Sequence, residues 1–494
     1  MPEGLTRKIG VVAFARGATA ASIFAVNAIL TRTWSADDFG QFSTIWVFGN
    51  TLVPVFLLGL PTGLLYFFPK RTETDKPALM TQVAVCLLVS GLALSGFLWM
   101  INTWLPDEHS FGAAGFQQFG RHIIPFIPYL ATVVAAGYAE SALVAAGKTT
   151  WQAILSLTTA IVVVATAALT AFDEWSIDGF LWGVSLVGII RLVFSVILVA
   201  EAVGFGWSVG PEFLQLVRYS IQIGLNDAVG SLSRSVDRVV VFLSFSASAF
   251  GIYHIGAIEI PINLVLGAVI TVLIPEISKK YVEGDLTGIA ILWKQAVGGL
   301  ALLVIPLFCF LFTFANDIIT LYVPGSYSDS QWVFRIFLLI LPLRCAIYNP
   351  LLVGIGKAHW AMWGGVGDLL MNLILSVGFV YAFNLYIPAW ALLGPAIATV
   401  ISTYLQIALL VLFIGRHLKW RVRDLLPWQR FLRIGFLSAA VSLITIEIVH
   451  LIDLPEVSFA IGGSVFAVFF FAALLLHPLE RQEAVSLIRS LFNP

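Results

Sequence analysis

Leu143-Val144-Ala145-Ala146-Gly147-Lys148-Thr149-Thr150-Trp151 is a short polar hinge between two long apolar runs. It returns 209 positions later as Leu352-Val353-Gly354-Ile355-Gly356-Lys357-Ala358-His359-Trp360. A second pair keeps nearly the same offset: Phe39-Gly40-Gln41-Phe42 matches Phe250-Gly251-Ile252-Tyr253, displaced by 211. Agreement in order and offset marks an internal duplication. The fold follows from what lies between the copies.

Around these hinges the chain is built from apolar runs long enough to cross a bilayer, which takes roughly 20 residues. Hydrophobic residues make up 59% of the 494 positions and charged residues 11%, against about 25% charged in soluble domains. The runs fall at 9–30, 41–68, 79–104, 122–146, 151–172, 180–204, 219–245, 250–274, 294–314, 332–354, 360–382, 389–415, 431–451 and 458–477. The pattern predicts an all-α polytopic membrane protein with about 14 transmembrane helices. The first run exceeds a signal-peptide core and lacks a small-x-small cleavage site, so it reads as an anchor that stays.

Lys and Arg in short connections are retained on the cytoplasmic side. With the N-terminus inside, the inner connections collect Lys70, Arg71, Lys76, Lys148, Lys279, Lys280, Lys357 and the basic stretch Arg416 to Arg433, whereas the outer ones hold only Arg32 and Arg121. One spurious internal span would send every later loop to the other side, so the asymmetry requires an even number. Six spans per copy give the copies one orientation and relate them by an axis along the membrane normal, the frame of a cleft that opens to either side by rocking. The expected divisions are an N-lobe at 1–204, a linker at 205–218, a C-lobe at 219–415, a basic cytoplasmic linker at 416–430, and two further spans with a short tail at 431–494.

The net charge of −1 describes neither a nucleic-acid binder nor an acidic-surface binder. Cys86, Cys309 and Cys345 stand alone in apolar runs, without metal-ligand spacing. A membrane glycosyltransferase or polymerase would need an aqueous loop bearing catalytic acids or bases. The longest outer break, Leu105 to Arg121, offers Asp107, Glu108 and His109 and no second cluster, so no enzyme is expected. Gly147-Lys148-Thr149 imitates only the end of a phosphate-binding loop and lacks its upstream glycine spacing.

The two six-helix lobes, the Leu30-Thr31-Arg32 to Phe42 connection, the Ser235-Val236-Asp237-Arg238 segment before Phe250-Gly251, and the Gly-Lys hairpins together carry a resemblance. The chain looks like a member of the multidrug/oligosaccharidyl-lipid/polysaccharide exporter superfamily, in its polysaccharide-biosynthesis flippase branch. The resemblance implies a V-shaped flippase for a polyprenyl-diphosphate-linked oligosaccharide in a bacterial-type cytoplasmic (inner) membrane. It implies an ion gradient, of Na+ or H+, as the drive, with no other cofactor, and the two terminal helices resemble those that form a lipid-tail groove in such flippases. The expected partners are the bilayer, the lipid-linked glycan and a polymerase or ligase, with no nucleic acid. Multidrug export and peptidoglycan-precursor flipping are the alternatives within the superfamily.

Ionised side chains at bilayer depth cost about 2.5–3.5 kcal/mol on insertion scales, so they face a wet cavity or a charged partner. Arg16, Arg191, Arg234, Arg238 and Arg344, with Asn27, are the candidates for substrate contact. Internal ion pairs are the structural alternative. Asp227, Ser231, Arg234 and Arg238 share one helical face by spacing, and a guanidinium suits a diphosphate because it donates paired hydrogen bonds. Asp237 stands three residues from Arg234 and offers it a partner. For Arg344, Asp368 on the next span offers company, whereas Arg191 has no carboxylate within a turn. Glu140, Asp227, Glu259 and Asp368 are the candidates for taking up the coupling proton or sodium ion. Pro261 beside Glu259, like Pro54, Gly59 and Pro61 in the second span, marks either a flexible point or a static kink.

Overall fold

Lipid offers no partner for a backbone N–H or C=O, so each apolar run closes its hydrogen bonds internally as a helix. The computed structural model describes residues 3–104, 113–207, 212–260, 262–421, 426–452 and 458–476. Helices and short 3-10 turns account for the regular structure among them. Among the described residues, eleven helical segments are long and apolar enough to span a membrane. Two of the other expected spans have specific reasons to fall short. The seventh, inside Glu212–Ser244, carries Asp227, Arg234, Asp237 and Arg238. The eighth is broken between Ala247–Gly256 and Asn263–Val282. The last is the apolar helix Ser458–Leu476. The protein is thus an all-α polytopic membrane protein.

Packing divides the chain into two units, one at 2–254 and the other from Ile255 onward. This division follows contacts, whereas the lobes at 1–204 and 219–415 follow the duplication. The first unit holds α1 (Glu3–Thr33), α2 (Ala36–Leu57), α3 (Leu60–Phe67), α4 (Lys76–Trp104), α5 (Ala113–Ala135), α6 (Ala139–Ala145), α7 (Thr149–Phe172), α8 (Ile177–Ala202), α9 (Glu212–Ser244) and most of α10 (Ala247–Gly256). Here α1 lies along α7, α5 sits between α4 and α8, and α2 packs on both α5 and α9. The second expected span is interrupted at Leu58 and Gly59, whose φ values are 53° and 67°. Ser90 of α4 donates to the Phe56 carbonyl at 2.5 Å, satisfying an acceptor near the break. The Gly59 backbone presses against Ser220 and Gly224 of α9, so no side chain fits there.

The second unit holds α11 (Asn263–Val282), α12 (Leu286–Thr313), α13 (Ala315–Tyr322), α14 (Ser330–Leu338), α15 (Tyr348–Gly354), α16 (Ala358–Tyr386), α17 (Gly394–Leu418), α18 (Trp428–Ile452) and α19 (Ser458–Leu476). α16 and α17 form a long antiparallel pair, and α14 packs on α17. The terminal pair α18 and α19 is fastened to α12 through an apolar cluster that includes Phe310, Phe314, Val441, Val449 and Phe466.

The duplicated hinges have the same backbone. Lys148 N–H donates to Leu143 O at 2.8 Å and Gly147 N–H to Val144 O at 3.0 Å; Lys357 N–H donates to Leu352 O and Gly356 N–H to Val353 O at the same distances. Both glycines are left-handed, at φ 75° and 72°. This is the 6→1 helix-end motif that places glycine after the last turn. The helix entries correspond as well: Phe39 N–H bonds Ser35 O and Phe250 N–H bonds Ser246 O, each at 3.0 Å.

Candidate functional site

α9 turns its polar residues in two directions. Ser231 and Ser235 face α2, where Ser231 Oγ donates to Thr51 O at 3.2 Å and Thr51 Oγ1 to Ser235 Oγ at 2.8 Å. Asp227 and Arg234 are exposed, and they interact electrostatically. Arg238, half-buried, donates from Nη1 to Arg234 O at 3.2 Å. Of the four residues that spacing put on one face, Asp227, Arg234 and Arg238 keep to the accessible side, whereas Ser231 is buried against α2.

Asp237 differs from the expectation. Only 2% exposed, it accepts from Tyr253 Oη of α10 at 2.7 Å. It points away from the accessible face and is committed to tying α9 to α10. Among the described residues Arg234 has no salt bridge. It stands as an accessible guanidinium with Asp227 nearby.

A second polar cluster joins three helices. Arg191 of α8 donates from Nη2 to Glu140 Oε1 of α6 at 2.9 Å. Ser156 of α7 donates to the same carboxylate oxygen at 3.3 Å, and Gln152 Nε2 donates to Ser156 Oγ at 3.0 Å. Two candidates that the sequence assigned separately, one to substrate and one to ion coupling, thus form a single pair.

The remaining candidates are dispersed. Arg16 is exposed, whereas Asn27 is buried and its carbonyl accepts from Thr31 Oγ1 at 2.8 Å. They do not share an environment. In the second unit Arg344 is exposed in the 3-10 turn Leu341–Cys345. Glu259 is exposed in the non-helical stretch between α10 and α11. Pro261 and the side chain of Asn263 lie outside the described residues. Asp368 lines a cavity of about 480 Å³ between α16 and α17, with Trp360, Trp363, Ser402, Gln406 and Phe413. Deeper in the same helix pair, Asn372 bonds Thr399 Oγ1 at 3.1 Å and accepts from Ser376 at 2.9 Å.

Sequence reasoning missed Gln152, Ser156, Tyr253 and the Asn372–Thr399 contact. The available signal was the rarity of amides in apolar helices, since a buried amide must find partners. That rule flags the residue without naming its partner. Among the described residues no group of His, Cys, Asp and Glu could hold a metal ion.

A family model described as polysaccharide biosynthesis protein matches residues 29–331, more than half of the chain. No curated protein matches. Among solved structures, the chain is similar to a lipid II flippase, MurJ, in an inward closed conformation, with a TM-score of 0.70 at 16% identity, covering 94% of this chain and 99% of that one. It is similar to a multidrug resistance MATE family transporter of the MOP superfamily in an inward-facing conformation, with a TM-score of 0.66 at 13% identity, covering 81% and 94%. A MOP superfamily transporter from Pyrococcus furiosus gives a TM-score of 0.60 at 14% identity, covering 84% and 95%. At these identities the likeness is one of fold.

Proposed function

The chain belongs to the polysaccharide biosynthesis protein family, and on that premise we propose that it is a flippase for a polyprenyl-diphosphate-linked oligosaccharide. It carries this lipid from the inner to the outer leaflet of a bacterial-type cytoplasmic membrane by ion-coupled alternating access, with both termini cytoplasmic. The reading rests on the accessible arginine face of α9. Arg234 stands exposed one turn from Arg238 in the span that is richest in charge. A guanidinium stays charged at any working pH and binds phosphate through two parallel hydrogen bonds. Arg16, Asn27 and Arg344 extend this contact in the proposal, and Asp227, Glu259 and Asp368 stand beside Glu140 as sites for the coupling ion.

In this scheme the copies at 1–204 and 219–415 rock about the segment 205–218. The stretch 416–430 rests on the inner headgroups, and the helices of 431–494 hold the polyprenyl tail. A polymerase or ligase then consumes the translocated glycan, and the chain itself makes or breaks no covalent bond. Nothing but a proton or sodium ion is required as a cofactor.

A second reading, export of an amphiphilic cation, draws on the cavity between α16 and α17. Its lining combines Asp368 with aromatic rings and contains no lysine or arginine, a composition that suits a cation. One experiment separates the two. Proteoliposomes containing the full chain are given a fluorescent polyprenyl-diphosphate sugar or a cationic dye under an imposed proton or sodium gradient. The proposal expects gradient-dependent movement of the lipid, and dye movement without lipid movement rejects it.

A further inference from the structure

Trp46 of α2 stacks on Tyr129 of α5, with ring centroids 5.4 Å apart and planes 27° from parallel, and on Phe126 at 5.3 Å and 32°. Phe126 and Tyr129 are themselves nearly parallel, at 5.1 Å and 16°. The three rings form one platform, in which Phe126 is fully buried while Trp46 and Tyr129 stay half-buried. Their polar tips are unspent: among the described residues the Trp46 indole N–H and the Tyr129 hydroxyl make no hydrogen bond, and neither atom is buried. Asn50, one turn along α2, gives Nδ2–H to Trp46 O at 2.8 Å and keeps its Oδ1 for another donor.

This platform borders the Arg191–Glu140 pair. Tyr129 packs on Gly188 of α8, where an added Cβ would come within 3.3 Å of its ring. Arg191 follows one turn later, about 4.5 Å along the helix at 1.5 Å per residue, and interacts electrostatically with Tyr129. Ion-paired side chains at bilayer depth turn toward the protein interior, so the rings beside them face that interior too. A circle of helices encloses it: α2 packs on α5, α5 on α8, α8 on α7, α7 on α1, and α1 sparsely on α2. At the end that the proposed orientation makes outer, the circle is closed. There the Trp34 indole N–H donates to Trp175 O at 2.9 Å, and Phe180 meets Trp34 and Phe42 edge-on at 5.8 Å and 5.4 Å. Toward the inner end Glu140 keeps 40% of its side chain accessible, as loading from the inner leaflet requires.

A ligand for this interior must offer an apolar face to two rings and hydrogen-bonding groups at its edge. Arg191 is already neutralised by Glu140, at 2.9 Å, so the pair has no net charge to hold an anion, and its guanidinium opposes a cation. An acyl chain would bury the polar tips of Trp46 and Tyr129 without partners, which is unfavourable. A pyranose meets both demands, because its axial C–H bonds gather on one face and its equatorial hydroxyls surround the edge.

We propose that Trp46 and Tyr129 form a sugar-binding platform for one neutral pyranose unit of the lipid-linked glycan, with Asn50 and the intact Arg191–Glu140 pair bonding its hydroxyls. The proposal rests on the flippase reading and deepens it, since the glycan is then recognised in addition to the diphosphate. Glu140 stays ionised throughout.

The test measures what a sugar adds to binding. The full chain in lipid nanodiscs is titrated with geranylgeranyl diphosphate and with the same lipid carrying glucose, galactose or N-acetylglucosamine on its terminal phosphate. Wild type is expected to bind at least one glycosylated lipid about tenfold more tightly than the bare diphosphate. Trp46→Leu and Tyr129→Leu should each remove most of that gain and leave binding of the bare diphosphate unchanged. Arg191→Gln should likewise weaken only the glycosylated lipid. No gain from any of the sugars, a gain that survives Trp46→Leu and Tyr129→Leu, or an equal loss of both kinds of lipid in Arg191→Gln overturns the platform and leaves the flippase reading standing. Wild type that binds none of these lipids overturns both. Should the leucine variants unfold in a parallel thermal melt, saturation transfer from aromatic protons to the sugar's C–H protons in wild type decides: its presence supports the platform and its absence overturns it.

Discussion

Gly40 and Gly251 occupy equivalent positions in the two copies, and they meet face to face. A Cβ on Gly251 would lie 3.3 Å from both the Gly40 backbone and Ala36 O, and a Cβ on Gly40 would lie 1.8 Å from Ala247 O. Ala36 and Ala247 are themselves equivalents under the 211-residue offset. When residue i of one copy meets j of the other and j meets i, a two-fold axis passes between them. The segment that announced the duplication in the sequence is thus also where the copies touch.

The two contacts are unequal, and the difference is measurable. Gly40→Ala forces backbone to separate from backbone, an overpacking of the kind that costs about 1–3 kcal/mol. Gly251→Ala asks its neighbours to give by a few tenths of an ångström. Thermal melts in detergent should show Gly40→Ala clearly destabilised and Gly251→Ala much less so; equal losses would mean that α2 and α10 are not seated on each other in this way.

Gly147 and Gly356 call for a matched pair of substitutions. Both have left-handed φ and open space where a Cβ would go. Alanine therefore meets only the conformational penalty, roughly 1–2 kcal/mol, and the melting temperatures of Gly147→Ala and Gly356→Ala should fall alike. In a background with Cys86, Cys309 and Cys345 replaced, Lys148→Cys and Lys357→Cys should react with an impermeant maleimide from the same side of the membrane. Labelling from opposite sides would disprove the parallel repeat.

What could be read in the sequence was local or was enforced by lipid. The Gly-Lys hinges were visible because one left-handed residue after a helix leaves a glycine and a fixed pattern around it. The spans were visible because length and apolarity are what a bilayer demands. Partners across helices were not. Glu140 and Arg191 are 51 positions apart, on α6 and α8, and nothing in either helix's periodicity points to the other. Asp237 illustrates the converse: its spacing from Arg234 suggested a pair, yet the carboxylate is taken by Tyr253 of the next helix instead. The break after Gly256 was signalled by Glu259 and Pro261, but the sequence could not choose between a hinge and a kink.

The two sides of α9 should separate stability from turnover. Tyr253→Phe deprives a buried carboxylate of a side-chain donor, a loss of about 1.5–3 kcal/mol for a hydrogen bond to a charged group. Arg234→Ala removes an exposed side chain and should leave the melting temperature near that of wild type while impairing lipid translocation in proteoliposomes. Arg234→Lys should restore little, because an ammonium cannot reproduce a bidentate contact. Unfolding of Arg234→Ala, or full rescue by lysine, would assign Arg234 a structural or purely electrostatic role.

Asp285 gives a prediction whose direction in pH is fixed. It caps the start of α12, accepting from Gly288 N–H at 2.7 Å and from Lys280 Nζ at 3.1 Å. The Gly288 hydrogen bond first, and Lys280 second, hold its carboxyl below the ordinary carboxylate range. A group whose folded pKa is depressed stabilises the fold above its unfolded pKa, near 3.9, and loses that contribution as pH falls through the folded value. Wild type should therefore melt at a higher temperature than Asp285→Asn at neutral pH, by an amount that is flat down to about pH 5. The gap should then narrow on further acidification, and added salt should shrink only the part owed to Lys280, since the backbone cap is short-ranged. A gap that persists unchanged below about pH 3 would show that asparagine loses something other than the carboxylate's charge.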